Sequence, residues 1–128
     1  MKVETWLARA DQTLASAAVL IDTGDADRAC GTAYYAMFYA ARAALIHVGQ
    51  PERAMGKTHA GMVSAFNQFA VQSGLLEAEY GRAFSFELNR RISADYEEDG
   101  VAPASAADSI ANARAFVAAV RGLIEGRG

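Results

Sequence analysis

DRACGTAYYAMFYAARAALIHVG, residues 27–49, is the stretch that decides the fold. Its apolar residues recur at three- and four-residue steps, the spacing of a helix face. Ala33, Met37, Ala41, Ala44, Leu45 and Val48 form one stripe. Tyr35, Tyr39, Arg42 and Ile46 form a second, with Tyr34 and Phe38 between the two. A helix that is apolar round most of its circumference lies at the centre of a bundle or is covered by a partner subunit. The pattern predicts a helix from Asp27 to Val48, closed by Gly49 with Pro51 beyond it. Core packing is the simplest account of the aromatic run, and a ligand site is the alternative.

Outward from that helix the chain keeps the same period. Upstream, Leu7, Ala10, Leu14, Ala17, Ala18 and Ile21 predict a helix from Glu4 to Asp22. Gly24 suits a left-handed C-terminal cap, and Asp25 can cap the helix that follows. Downstream, QPERAMGKT (residues 50–58) reads as a polar loop punctuated by Pro51 and Gly56. Thr58 is placed to cap a third helix, His59 to Gln72, whose inward residues are Met62, Val63, Phe66, Phe69 and Ala70. A fourth runs from Leu75 to Tyr96, with Gly81 inside it as a point of close packing or a weak bend. EEDGVAP, residues 97–103, is an acidic loop. Ser105 is the expected N-cap of the last helix, with Asp108 three residues on. The fold class is all-α: a compact antiparallel bundle of four to five helices in a single domain spanning residues 1–128.

Composition bounds the function. The chain is 52% hydrophobic and 21% charged, far from the signature of disorder, and alanine supplies much of the apolar share. A net charge of −3 excludes a general basic surface, so any RNA contact must rest on a local patch. Cys30 is the only cysteine, which rules out an intrachain disulfide and points to a cytoplasmic home. No apolar run approaches the ~20 residues that span a bilayer, so no membrane role is expected. No Gly-rich phosphate loop, nucleophile turn or Cys/His cluster is present, and no metal or cofactor is expected. His47, at the end of an apolar helix, reads as a helix-terminal cation or a packing residue.

Three local groups could carry chemistry. The first is the aromatic run Tyr34 to Arg42. The second is Gly56-Lys57-Thr58-His59, where free backbone N–H groups and Lys57 suit an anion, or where Thr58 simply caps the helix. The third is Asn89-Arg90-Arg91-Ile92-Ser93-Ala94-Asp95-Tyr96. Arg91 and Asp95 are four apart, the spacing of an exposed intrahelical ion pair that contributes a few tenths of a kcal/mol.

YYAMFYAARAAL, then KTH, then RRISADYE, in that order, resembles the small stand-alone chains of the HEPN family (higher eukaryotes and prokaryotes nucleotide-binding). The similarity runs from Ala29 to Phe116. It implies a bundle of four or five helices, commonly a homodimer, often paired with a minimal nucleotidyltransferase as a toxin–antitoxin system. Many members of the family are metal-independent ribonucleases with an Arg-x(4–6)-His motif. Here the residue five along from Arg90 is Asp95, whose ordinary pKa of about 3.9 makes it a poor proton shuttle at neutral pH. Arg53 to His59 fits the spacing but straddles a loop. The leading expectation is a module that dimerises and binds a nucleotide, an RNA or a nucleotidyltransferase partner. Its ligand contacts are expected at Lys57, His59, Arg90, Arg91 and Tyr96, and its interface at Tyr35, Tyr39 and Arg42. One alternative is a ribonuclease using Arg90 and Asp95, with His59 assisting. The other is a purely structural interaction module.

Overall fold

The computed structural model describes residues 2–126. Among them there are six α-helices and no strand: α1 (Val3–Asp22), α2 (Ala26–His47), α3 (Pro51–Ala54), α4 (His59–Phe66), α5 (Ala78–Ala94) and α6 (Pro103–Ile124). A π-helical turn, Asn67–Val71, continues α4. No helix is long and apolar enough to cross a membrane.

The central helix is α2, and its alanines explain why. Ala29, Ala33, Ala36, Ala40, Ala41, Ala43 and Ala44 are all fully buried, on more than one side of the cylinder. Side chains this small let neighbouring backbones approach closely, so α2 packs against α1, α4, α5 and α6 at once. Beyond α2, three rings lock the other helices together. Phe66, Phe84 and Phe116 come from α4, α5 and α6, and their ring centroids lie 4.8–5.6 Å apart. Each is fully buried, and truncating one to alanine costs about 3–5 kcal/mol.

The helix ends follow their cap residues. Thr23 closes α1, and Gly24, at φ 85°, takes the left-handed position. Its N–H bonds Ile21 O at 3.1 Å while Asp25 N–H bonds Leu20 O at 2.9 Å, the paired Schellman pattern. Asp25 then accepts from Arg28 N as the N-cap of α2. Gly49 repeats the C-terminal pattern at the far end of α2.

Four expectations change in detail. The 50–58 loop contains the short helix α3, because Pro51 stands at its first position, where a missing N–H costs nothing. Regular α-helix stops at Phe66: Asn67 Nδ2 donates to Val63 O, competing with the backbone ladder, and the chain widens into the π turn. The next helix begins at Ala78 and ends at Ala94, since the chain first closes the π turn through Leu76 N–H to Ala70 O. Ser105 is not the cap of α6: Pro103 opens that helix behind Ala102, and Ser105 lies inside its first turn. Gly81 is the close-packing site, since a Cβ there would collide with the Asn67 side chain.

Candidate functional site

Where α2 passes the 55–58 loop and the start of α4, an open cleft of about 480 Å³ forms. That lies within the roughly 300–1,000 Å³ of small-molecule sites. Its walls are aromatic, from Tyr35, Phe38 and Tyr39, and its polar groups are Arg42, Lys57 and His59. No carboxylate lines it. In a chain of net charge −3, this is a local concentration of positive charge and hydrogen-bond donors.

Arg42 is the most constrained of these groups. Its guanidinium carbon lies 4.7 Å from the ring centre of Trp6 and 4.6 Å from that of Phe38, both in cation–π range. Nε donates to Ala54 O at 3.1 Å. Neither Nη atom has a hydrogen-bond partner among the described residues. Burial, with a smaller push from Arg9, lowers the Arg42 pKa from its ordinary value, while Tyr39 opposes that shift. The group still stays a cation near neutral pH. Tyr39 stacks on Trp6 with ring centres 5.8 Å apart, and Arg9 lies 5.3 Å from each ring. The N-terminal helix thus supplies the ring that holds Arg42 in place.

His59 opens α4 directly after Thr58, whose Oγ1 caps the helix by accepting from Gly61 N at 2.9 Å. Its Nδ1 lies 2.9 Å from the hydroxyl of buried Tyr34. Burial, and then the charges of Arg91 and Arg42, lower its pKa, which favours the neutral imidazole. Burial likewise pushes the Tyr34 phenol well up, against the pull of Arg91.

The doubled arginine divides between two surroundings. Arg91 Nη2 donates to Tyr35 OH at 3.3 Å, and its guanidinium lies 5.1 Å from the Tyr35 ring and 5.7 Å from that of Tyr34. The expected ion pair with Asp95 is absent among the described residues, because Arg91 is drawn inward to the two tyrosines. Arg91 and Asp95 do share a second cleft, of about 340 Å³, on the other side of Tyr35 with Asp27 and Arg28. Arg90 turns the other way. Its Nη1 donates to Ser105 O at 2.7 Å and to Ser109 Oγ at 2.9 Å, and lies 3.7 Å from Glu87 Oε2.

The structure therefore gathers Lys57, His59, Tyr35, Tyr39 and Arg42 at one cleft, with Arg91 behind Tyr35. It separates Arg90 from them, and Tyr96 stands 86% exposed beyond the end of α5. Sequence reasoning missed Trp6 as part of the site, and it held Tyr34 and Phe38 only within the aromatic run, without a named role. Tyr34 and Phe38 do carry a signal, lying four apart on the face that also bears Arg42. Among the described residues, no group of three or more His, Cys, Asp or Glu is placed to hold a metal ion.

The HEPN domain family model matches residues 3–123 of this chain. The chain belongs to the HEPN family. Membership places this HEPN domain, in general terms, among nucleotide- and RNA-related modules. No curated protein matches it significantly.

Proposed function

We propose that this HEPN chain, acting as one helical domain, binds the phosphate of a nucleotide or of an RNA end in the cleft between α2 and α4. One observation carries this: Arg42, Lys57 and His59 converge beside aromatic walls with no carboxylate among the lining side chains. Arginine with free Nη donors suits phosphate oxygens, and Tyr35 or Tyr39 offers a face for a base. Arg91, rather than Arg90, is the helix-α5 arginine that contributes positive charge, because Arg90 is already committed to α6. A ribonuclease built on Arg90 and Asp95 is the weaker reading for the same reason. Homodimerisation and pairing with a nucleotidyltransferase in a toxin–antitoxin system are part of the proposal and rest on the family resemblance.

Trp6, the only tryptophan, touches both Tyr39 and Arg42, so its fluorescence reports on the cleft. Titration with adenosine 5′-monophosphate, and with a short 5′-phosphorylated RNA, is expected to give a saturable change. Arg42→Gln is expected to weaken binding at least about tenfold. Wild-type fluorescence and thermal midpoint unmoved by either probe at low salt would sink the proposal.

A further inference from the structure

The hydrogen bond between Tyr34 and His59 has a direction that the surroundings decide. Tyr34 is fully buried, ringed by Tyr35, Phe38 and Phe84, and Nδ1 of His59 is the one hydrogen-bond partner of its hydroxyl among the described residues. A buried O–H that gives its proton to no acceptor is strongly unfavourable. The hydroxyl must therefore donate, and Nδ1 must accept. A neutral imidazole that accepts at Nδ1 carries its own proton on Nε2. Nε2 has no partner among the described residues, and no buried side-chain nitrogen there lacks one, so Nε2 is solvent-accessible on a residue that lines the cleft.

We infer that Tyr34 is a positioning residue that fixes His59 in its neutral Nε2–H tautomer, so that the imidazole gives the cleft an uncharged hydrogen-bond donor for a phosphate oxygen. This rests on the cleft being the phosphate site proposed above. The titratable and charged groups around the ring are Tyr34, Tyr35 and Arg42 from α2, Arg91 from α5 and Lys57 from the preceding loop. On α3 the Ala54 carbonyl is taken by Arg42, Arg53 lies over Phe69, and Glu52 lines a separate cleft with Gln50 and Pro51. A second proton on the ring would set an N–H at Nδ1 against the Tyr34 hydroxyl and turn that hydroxyl's proton toward aromatic rings. No carboxylate lines the cleft to offset it. The imidazole then has no free lone pair with which to take a proton from a ribose hydroxyl. This arrangement grips a phosphate and does not start its cleavage.

The test combines one spectroscopic and one binding measurement on the full chain labelled with ¹⁵N-histidine. With only His47 and His59 present, His47→Gln assigns the signals. The expected result at pH 7 is a protonated Nε2 on His59 in the free wild-type protein. Tyr34→Phe is expected to give mixed tautomers and about tenfold weaker binding of adenosine 5′-monophosphate. A glutamine amide reaches the place of Nε2, whereas asparagine reaches only that of Nδ1. His59→Gln is therefore expected to keep affinity within a few-fold and His59→Asn to lose it, which keeps the inference testable should Tyr34→Phe fold poorly. A proton found on Nδ1, or equal affinity in Tyr34→Phe and in both His59 variants, overturns the inference and leaves the phosphate cleft standing. An Nε2–H tautomer in a protein that binds no probe overturns the cleft, and the donor role with it.

Discussion

The α5–α6 seam and the α2–α4 cleft are both built from polar side chains set among apolar ones, yet they settle their hydrogen bonds in opposite ways. In the seam, fully buried Glu87 accepts from Ser109 Oγ at 2.6 Å and from Asn112 Nδ2 at 2.7 Å, with Arg90 beside it. Arg90 in turn donates to α6 and rests on the Phe86 ring at 4.4 Å. Glu87 and Ser109 are answered within the chain and Arg90 is committed to α6 through Nη1, so the seam holds the two helices in register. In the cleft, Arg42 and His59 are each held by a single hydrogen bond plus aromatic contacts, and their remaining donors face outward. Two adjacent arginines, Arg90 and Arg91, fall on opposite sides of this divide. The neighbours that each guanidinium meets, more than its charge or its position in the sequence, separate the two.

Substitutions can break that contrast from either side. The largest effect is expected at Glu87. Glu87→Ala leaves Arg90 without its partly buried counter-charge and should destabilise the fold by about 3 kcal/mol in urea denaturation. Adenosine 5′-monophosphate should bind the folded fraction unchanged; loss of affinity beyond loss of folded protein would mean that seam and cleft are coupled. Lys57→Ala should do the converse on a smaller scale. Its side chain is exposed, so stability should hold while affinity falls about three- to tenfold and becomes less sensitive to salt. An unchanged salt dependence would remove Lys57 from the site. The smallest effect is in pH. His59 has a lowered pKa in the folded chain, so the unfolded chain binds the extra proton first. Its contribution to stability is complete above the ordinary histidine value of about 6.5 and is lost as pH falls from there through the folded value. His59→Gln should flatten that part of the stability curve, and an identical slope in both proteins would show that His59 does not cause it.

Much of this was legible in the chain. The alanine-rich α2, the caps at Gly24, Asp25 and Thr58, and the grouping of Lys57 with His59 all follow from local chemistry that sequence spacing displays. Arg42, Tyr35 and Tyr39 were read as a face for a partner, with a ligand site as the alternative for the aromatic run; within one chain they line a cleft. The seam was hidden because Glu87 and Ser109 look like surface residues until two helices meet. The available clue was a matched pair of i, i+3 polar couples, Glu87 with Arg90 and Ser109 with Asn112, on faces otherwise filled by Phe84, Leu88, Ile110 and Ala113. Which way Arg90 and Arg91 turn depends on tertiary neighbours, Ser109 for one and Tyr35 for the other, that lie 19 and 56 positions away.

The π turn at Asn67–Val71 has a consequence for how the chain tolerates changes of length. A π turn accommodates one residue more than the same turn of regular helix, so a single-residue deletion here can be absorbed by reverting to the α-helical ladder. Asn67, at the start of the turn, fills the space that Gly81 leaves open and is tied back to Val63 O, so a deletion after it leaves this contact in place. A one-residue deletion within 68–71 should therefore cost less stability than the same deletion in the middle of α2, where no spare residue exists to absorb it.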